Sequence, residues 1–285
     1  MAAAAFEISS PVGVIAGGGA MPFAVAESLK ARGLDPILFA LRGACDPVAA
    51  ARFRHHWITV GELGRTTKLL RAENCKDLIF IGTLVRPALS EIRLDWGTLR
   101  VMGRIWSAFR GGDDHLLSGV GRIFEQEGFH LLGLKEVAPD LLMPEGCVTR
   151  RTPDKHAVAD IARGRDVLGA LGPFDIGQAV VVIDGHVVAV EGVEGTDQLL
   201  RRIADLRADG RIRATAGRGV LVKAPKSSQD LRYDLPAIGP RTIEGAAAAG
   251  LSGVAVVAGN TVVAEAQAMI EAADKADLFV TGLPS

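Results

Sequence analysis

The run Val12-Gly13-Val14-Ile15-Ala16-Gly17-Gly18-Gly19-Ala20-Met21-Pro22 decides how the first half of the chain folds. The small and apolar residues ending in Ala16 read as a short buried strand of the kind found inside a parallel sheet. Three glycines allow a tight turn, and Pro22 suits the first turn of a helix, where its missing N–H costs nothing. Gly33 ends that helix. A strand, a glycine turn and a helix together aim backbone amides at an anion, which makes Gly17, Gly18 and Gly19 candidate phosphate donors. The same residues also serve an ordinary tight turn. The spacing is neither GxGxxG nor a P-loop, since the spacing of the third glycine and the Lys-Ser/Thr pair are both missing.

Working outward, Pro36–Leu41, Trp57–Val60 and Leu78–Gly82 read as further strands, with a basic amphipathic helix over Gly64–Cys75. This alternation predicts a Rossmann-like parallel sheet with helices on its faces. Ligands of such sheets bind beyond the carboxyl ends of the strands, so Arg42 and Arg86 share that rim with the glycines. His55 and His56 read as a solvated pair ahead of a strand, because nothing with metal-ligand spacing accompanies them. Beyond an amphipathic stretch around Leu99–Phe109, Asp113 and Asp114 open another helix. One of them caps it, or the pair holds Mg²⁺ beside a phosphate.

Pro144, Gly146 and Pro153 mark a boundary between a domain of residues 1–145 and one of residues 146–285. The second reads as a mixed α/β sheet. Asp154 caps a helix, and Asp184-Gly185 joins Ala179–Ile183 to His186–Val190 as a hairpin. Gly195-Thr196-Asp197 opens a helix with Leu199, Leu200 and Ile203 on one face. Thr196 or Asp197 caps it, or Gly195-Thr196 forms a second phosphate cradle. Val254–Val257 is a strand onto which Val262-Val263 pairs back, and Leu278–Val280 is the last strand.

The totals narrow the function classes. A chain of 285 residues with 48% hydrophobic residues and 34 glycines is long enough for two globular domains. A net charge of -1 offers no global attraction for nucleic acid. Three distant cysteines, Cys45, Cys75 and Cys147, fit buried thiols in a reducing compartment. The N-terminus has no signal-peptide pattern, and no apolar run nears the roughly 20 residues that span a bilayer. A cytoplasmic protein follows, with transient contact at a membrane surface left open.

Chemistry concentrates in Lys223–Thr242, a Pro-, Gly- and Ser-bearing loop between an apolar strand and an Ala-rich helix. Lys223, Lys226 and Arg232 suit phosphate neutralisation. Asp234, flanked by Leu235, Pro236 and Ile238, is a carboxylate that needs partners. A salt-bridged connector is the plainer alternative. A dinucleotide oxidoreductase would need the glycine pattern that fails here, and a non-catalytic nucleotide-sugar or lipid-binding protein would leave Asp234 dispensable.

Five stretches in order resemble the LpxI-type UDP-2,3-diacylglucosamine pyrophosphatase family. They are Ile15–Pro22, Gly112-Asp113-Asp114, Asp175-Ile176-Gly177-Gln178, Glu194-Gly195-Thr196-Asp197, and Lys223 and Lys226 with Gln229–Gly239 and Thr242. Ser227 stands where the family pattern has proline, a change in loop stiffness. The resemblance implies two α/β domains with a ligand cleft between them. It implies hydrolysis of UDP-2,3-diacylglucosamine to UMP and 2,3-diacylglucosamine 1-phosphate (lipid X) in lipid A biosynthesis, with Mg²⁺. Asp234 takes the place of the family's essential aspartate. Asp234, Lys223, Lys226 and Arg232 are then expected to be catalytic. Gly17, Gly18, Gly19, Gln178, Gly195, Thr196, Asp197, Gln229 and Thr242 are expected to bind substrate. Asp234, Asp113 and Asp114 are expected to hold the metal. A homodimer and peripheral contact with the inner membrane are compatible with this reading.

Overall fold

The computed structural model describes residues 7–83, 113–226, 230–232 and 235–284, residues 113–117 by backbone alone. The chain divides into two compact units. One is built on residues 1–139 and includes Arg232, and the other on residues 140–231 and 235–285.

In the first unit, β1 (Val12–Ala16), β2 (Pro36–Leu41), β3 (His55–Ile58), β4 (Asp77–Ile81) and β5 (His130–Leu131) form one sheet. Its order is β3-β2-β1-β4-β5, and every pairing is parallel. Helix α1 (Met21–Ala31) buries Phe23, Val25, Ala26 and Leu29. On α2 (Leu63–Ala72) and α3 (Asp113–Gln126), Leu70 and Phe124 pack with Ile15, Phe39 and Leu78 of the sheet. β1 is apolar and buried throughout, as a central strand covered on both faces must be.

The third strand differs from expectation by starting at His55 and ending at Ile58. His56 is part of it, half-buried and stacked on Phe39 with ring centres 5.5 Å apart. Its Nε2 lies 2.6 Å from Glu73 Oε1. A partner carboxylate lets an imidazole occupy a partly buried strand position that solvation alone does not explain.

In the second unit a six-stranded sheet runs β6-β13-β11-β9-β7-β8. These are β6 (Gly146–Cys147), β7 (Ala179–Ile183), β8 (His186–Val190), β9 (Val220–Lys223), β11 (Gly253–Val257) and β13 (Phe279–Leu283). β9, β11 and β13 are mutually parallel, while β6, β7 and β8 join antiparallel. Side chains alternate across the sheet. Val180, Val182, Val220 and Val222 face α4 (Lys155–Leu171), whose Ala157, Ile161 and Leu168 complete that core. Val181, Ile183, Leu221, Val254 and Val256 face α5 (Gly195–Ala208), α6 (Pro240–Ala248) and α7 (Ala266–Lys275) through Leu199, Leu200, Ile203, Ile243 and Met269. Asp154 caps α4 through the Ala157 amide at 2.8 Å.

Val262-Val263 does not fold back on β11. It forms β12 and pairs parallel with β10 (Ala237–Ile238) in a separate two-stranded ribbon. The turn at Gly259 is committed elsewhere, its amide donating to Met143 O at 2.8 Å. Cys45 and Cys75 are buried free thiols and Cys147 is half-buried. Burial pushes the Cys75 thiol up to about 12. Among the described residues no helix is long and apolar enough to cross a membrane.

Candidate active site

The topology of the second sheet brings several chain ends to one edge. β9 ends at Lys223, which pairs with Ala179, the first residue of antiparallel β7. β8 runs antiparallel to β7, so its last residues return to the same edge, and Glu191 follows them. Helix α5 begins four residues later at Gly195. The carboxyl ends of parallel strands are where open α/β sheets bind ligands. Strand parity then aims Lys223 to the side of Leu221, the face covered by α5 and α6.

Lys223 is only 6% exposed. Its ammonium donates to Thr196 Oγ1 and to the Ala237 carbonyl, each at 3.0 Å. Thr196 in turn donates to Glu191 Oε1 at 2.7 Å, and the Gln178 amide donates to Glu191 Oε2 at 2.7 Å. Four separate stretches of sequence thus meet in one polar network around the buried Lys223 and Glu191. Gly177 makes the approach feasible, because it holds φ +54 and a Cβ there would lie 2.1 Å from the Glu191 carbonyl oxygen.

The remaining candidates fall around this network or away from it. Lys226 pairs with Asp175 Oδ1 at 2.7 Å. Asp197 pairs with Arg241 in the first turn of α6 at 2.5 Å. Thr242 is buried in that same turn, its amide donating to Gly239 O at 3.0 Å. Neither Thr196 nor Asp197 caps α5. The N-cap is Glu194, and the Thr196 hydroxyl is committed to Glu191. Arg232 meets Glu125 of α3 at 2.8 Å within the first unit.

The glycine turn of the first unit is tied down. The Gly17 amide donates to Ile81 O at 2.8 Å, and Gly18 and Thr83 exchange backbone hydrogen bonds at 2.7 and 2.9 Å. A Cβ on Gly17 would lie 2.7 Å from Thr83 O. The tight-turn reading therefore accounts for Gly17 and Gly18, whose amides are spent inside the protein. Asp113 and Asp114 lie in the first turn of α3, with side chains outside the description. Asp234, Gln229, Arg86 and the Leu99–Phe109 stretch lie outside the described residues.

Residues 11–141 match the LpxI N-terminal domain and residues 144–281 the LpxI C-terminal domain. The chain belongs to the LpxI family. A LpxI relative from Caulobacter vibrioides, named UDP-2,3-diacylglucosamine pyrophosphatase LpxI, is 43% identical over 272 residues, covering 95% of this chain and 97% of the relative. The Gln178–Glu191–Thr196–Lys223 network lies wholly inside the stretch matching the LpxI C-terminal domain. Within that stretch, Glu191 and Asp175 contact expected site residues, and sequence reasoning assigned them no role. The signal for Glu191 was a carboxylate directly after an apolar strand and before a glycine. Its burial depends on β7, β8 and α5 packing together.

Proposed function

We propose that this chain hydrolyses the diphosphate of UDP-2,3-diacylglucosamine to UMP and 2,3-diacylglucosamine 1-phosphate, a step of lipid A biosynthesis. The observation that carries this reading is the match to a pyrophosphatase across 95% of the chain. Water adds to one phosphorus, the bridging P–O bond breaks, and two phosphomonoester dianions leave with release of two protons. Such a reaction calls for charge neutralisation and in-line placement of water, with little covalent work by the protein. Lys223, held at the sheet edge, and Lys226 on the loop that follows are suited to neutralise phosphate oxygens. Arg232 is a third cation for the same task. Asp234 orients the attacking water. Gln178, Gly195, Thr196, Asp197, Gln229 and Thr242 line the substrate, and Gly19 completes the glycine turn.

Asp113, Asp114 and Asp234 would hold Mg²⁺, an oxygen-only donor set that suits a hard cation. Among the described residues no three His, Cys, Asp or Glu side chains gather as a metal site. Glu191 and Asp175 are engaged by protein donors. Bound there, Mg²⁺ supplies charge neutralisation at the diphosphate. A diacylated substrate resides in a membrane, so a cytoplasmic enzyme acting on it meets the inner-membrane surface transiently.

Phosphorus NMR of the protein with Mg²⁺ and UDP-2,3-diacylglucosamine tests the reading, with UDP-N-acetylglucosamine as the unacylated control. UMP and lipid X appear from the acylated substrate alone, and EDTA stops the reaction. No turnover by folded protein would move the assignment to a binding protein, and turnover unaffected by EDTA would remove the metal.

A further inference from the structure

The reaction just described has no task for Glu191, yet this carboxylate is 8% exposed and lies one side chain behind Lys223. The direction of every hydrogen bond in the network is forced. An ammonium only donates and an ionised carboxylate only accepts. The single hydroxyl hydrogen of Thr196 therefore points to Glu191 Oε1, 2.7 Å away, and its lone pairs face Lys223 Nζ at 3.0 Å. Glu191 Oε2 is at the same time anchored by the Gln178 amide at 2.7 Å. The carboxylate is thus fixed to the backbone ahead of β7, and through Thr196 it fixes the ammonium at the end of β9.

We infer that Glu191 is a positioning residue for Lys223, acting through Thr196 to hold the ammonium where it meets a phosphate oxygen. The inference rests on the pyrophosphatase reading. A glutamine at position 191 matches the shape and reverses half of the polarity. Its carbonyl oxygen must take the Gln178 amide, since an NH₂ there would face another donor. Its NH₂ then points at Thr196 Oγ1, so the hydroxyl hydrogen loses its acceptor and must swing to a third direction, the oxygen now accepting from both the amide and Lys223. The threonine is no longer held by a carboxylate, and the ammonium loses the negative charge behind it, so its position loosens while the packing around it survives.

The test is a kinetic double-mutant cycle on UDP-2,3-diacylglucosamine using Glu191→Gln, Lys223→Ala and the two combined, with a thermal melt of each. Glu191→Gln alone is expected to lower kcat by about 10-fold to 100-fold, the scale of losing a partner that orients a functional group, and less than losing the donor itself. KM should stay within about 3-fold and Tm within about 3 °C of the parent. In the Lys223→Ala background the same substitution should cost nothing further in the residual kcat, because residues acting as one unit are not additive. Glu191→Asp, which keeps the charge on a shorter arm, should recover part of the loss.

An unchanged kcat in Glu191→Gln overturns the inference. So does an equal loss with and without Lys223, or a loss of kcat that only tracks a fall in Tm. Should Glu191→Gln fail to fold, Thr196→Val breaks the same link, and its cycle with Lys223→Ala is read in the same way. A parent protein that shows no hydrolysis overturns the pyrophosphatase reading and this inference with it. An active parent with an additive cycle overturns the inference alone.

Discussion

Gly177 stands against the backbone of Glu191 so closely that a Cβ added to it would lie 2.1 Å from the Glu191 carbonyl oxygen. No side-chain rotation relieves a clash between backbone atoms, and φ +54 is strained for any other residue. Gly177→Ala is therefore expected to destabilise the protein by on the order of 2 kcal/mol. It should also lower kcat, because the Gln178 amide moves away from Glu191. Urea unfolding beside steady-state kinetics checks both effects. A midpoint equal to that of the parent would show that the two loops separate at no cost.

The Lys226–Asp175 pair separates binding from stability. Asp175 is 65% exposed, and ion pairs with a solvated partner contribute about 0–1 kcal/mol. Lys226→Ala should leave Tm within about 2 °C while raising KM for the diphosphate substrate about 10-fold. A fall in Tm with KM unchanged would make Lys226 a structural residue.

Asp154 offers a pH-dependent prediction. Its carboxylate accepts from the Ala157 amide, which holds its pKa below the ordinary 3.8. A depressed carboxylate contributes stability above its unfolded pKa, and that contribution is lost as pH falls through the folded value. Asp154→Ala should cost about 1 kcal/mol near neutral pH, the usual worth of an N-cap. The difference from the parent should shrink as the pH drops below 3.8. Denaturant unfolding of both proteins at neutral and acidic pH measures it, and a pH-independent difference would contradict the capping account.

Thr261 hides a hydroxyl without a hydrogen-bond partner among the described residues, in a side chain that is fully buried. A buried polar atom left unsatisfied carries its desolvation cost uncompensated, and an apolar group of the same shape removes that cost. Thr261→Val should raise stability by about 1 kcal/mol with the denaturant slope unchanged. A loss of stability would mean that the hydroxyl is hydrogen-bonded to buried water.

The sequence by itself determined much of the local structure. The apolar run at Val12–Ala16, Pro22 in a first helical turn, Asp154 as a cap and the Asp184-Gly185 hairpin all depend on residues within a few positions of one another. Short-range sterics and capping chemistry fix such features wherever they occur. Pairings between distant segments are of another kind. That Val262-Val263 joins Ala237-Ile238 and not β11, and that the Gly17 and Gly18 amides close on Ile81 and Thr83, follow from which edges are left open once the sheets assemble. His56 takes its place in β3 beside Glu73, 17 residues on. The candidate site divides along the same line. Motif residues in family order pointed to Gln178, Thr196 and Lys223, but no spacing along the chain says that they meet through Glu191. That meeting is a product of antiparallel β7 and β8 returning two chain ends to the carboxyl end of β9. There Lys223 and Glu191, both buried, find their hydrogen-bond partners on segments distant in sequence.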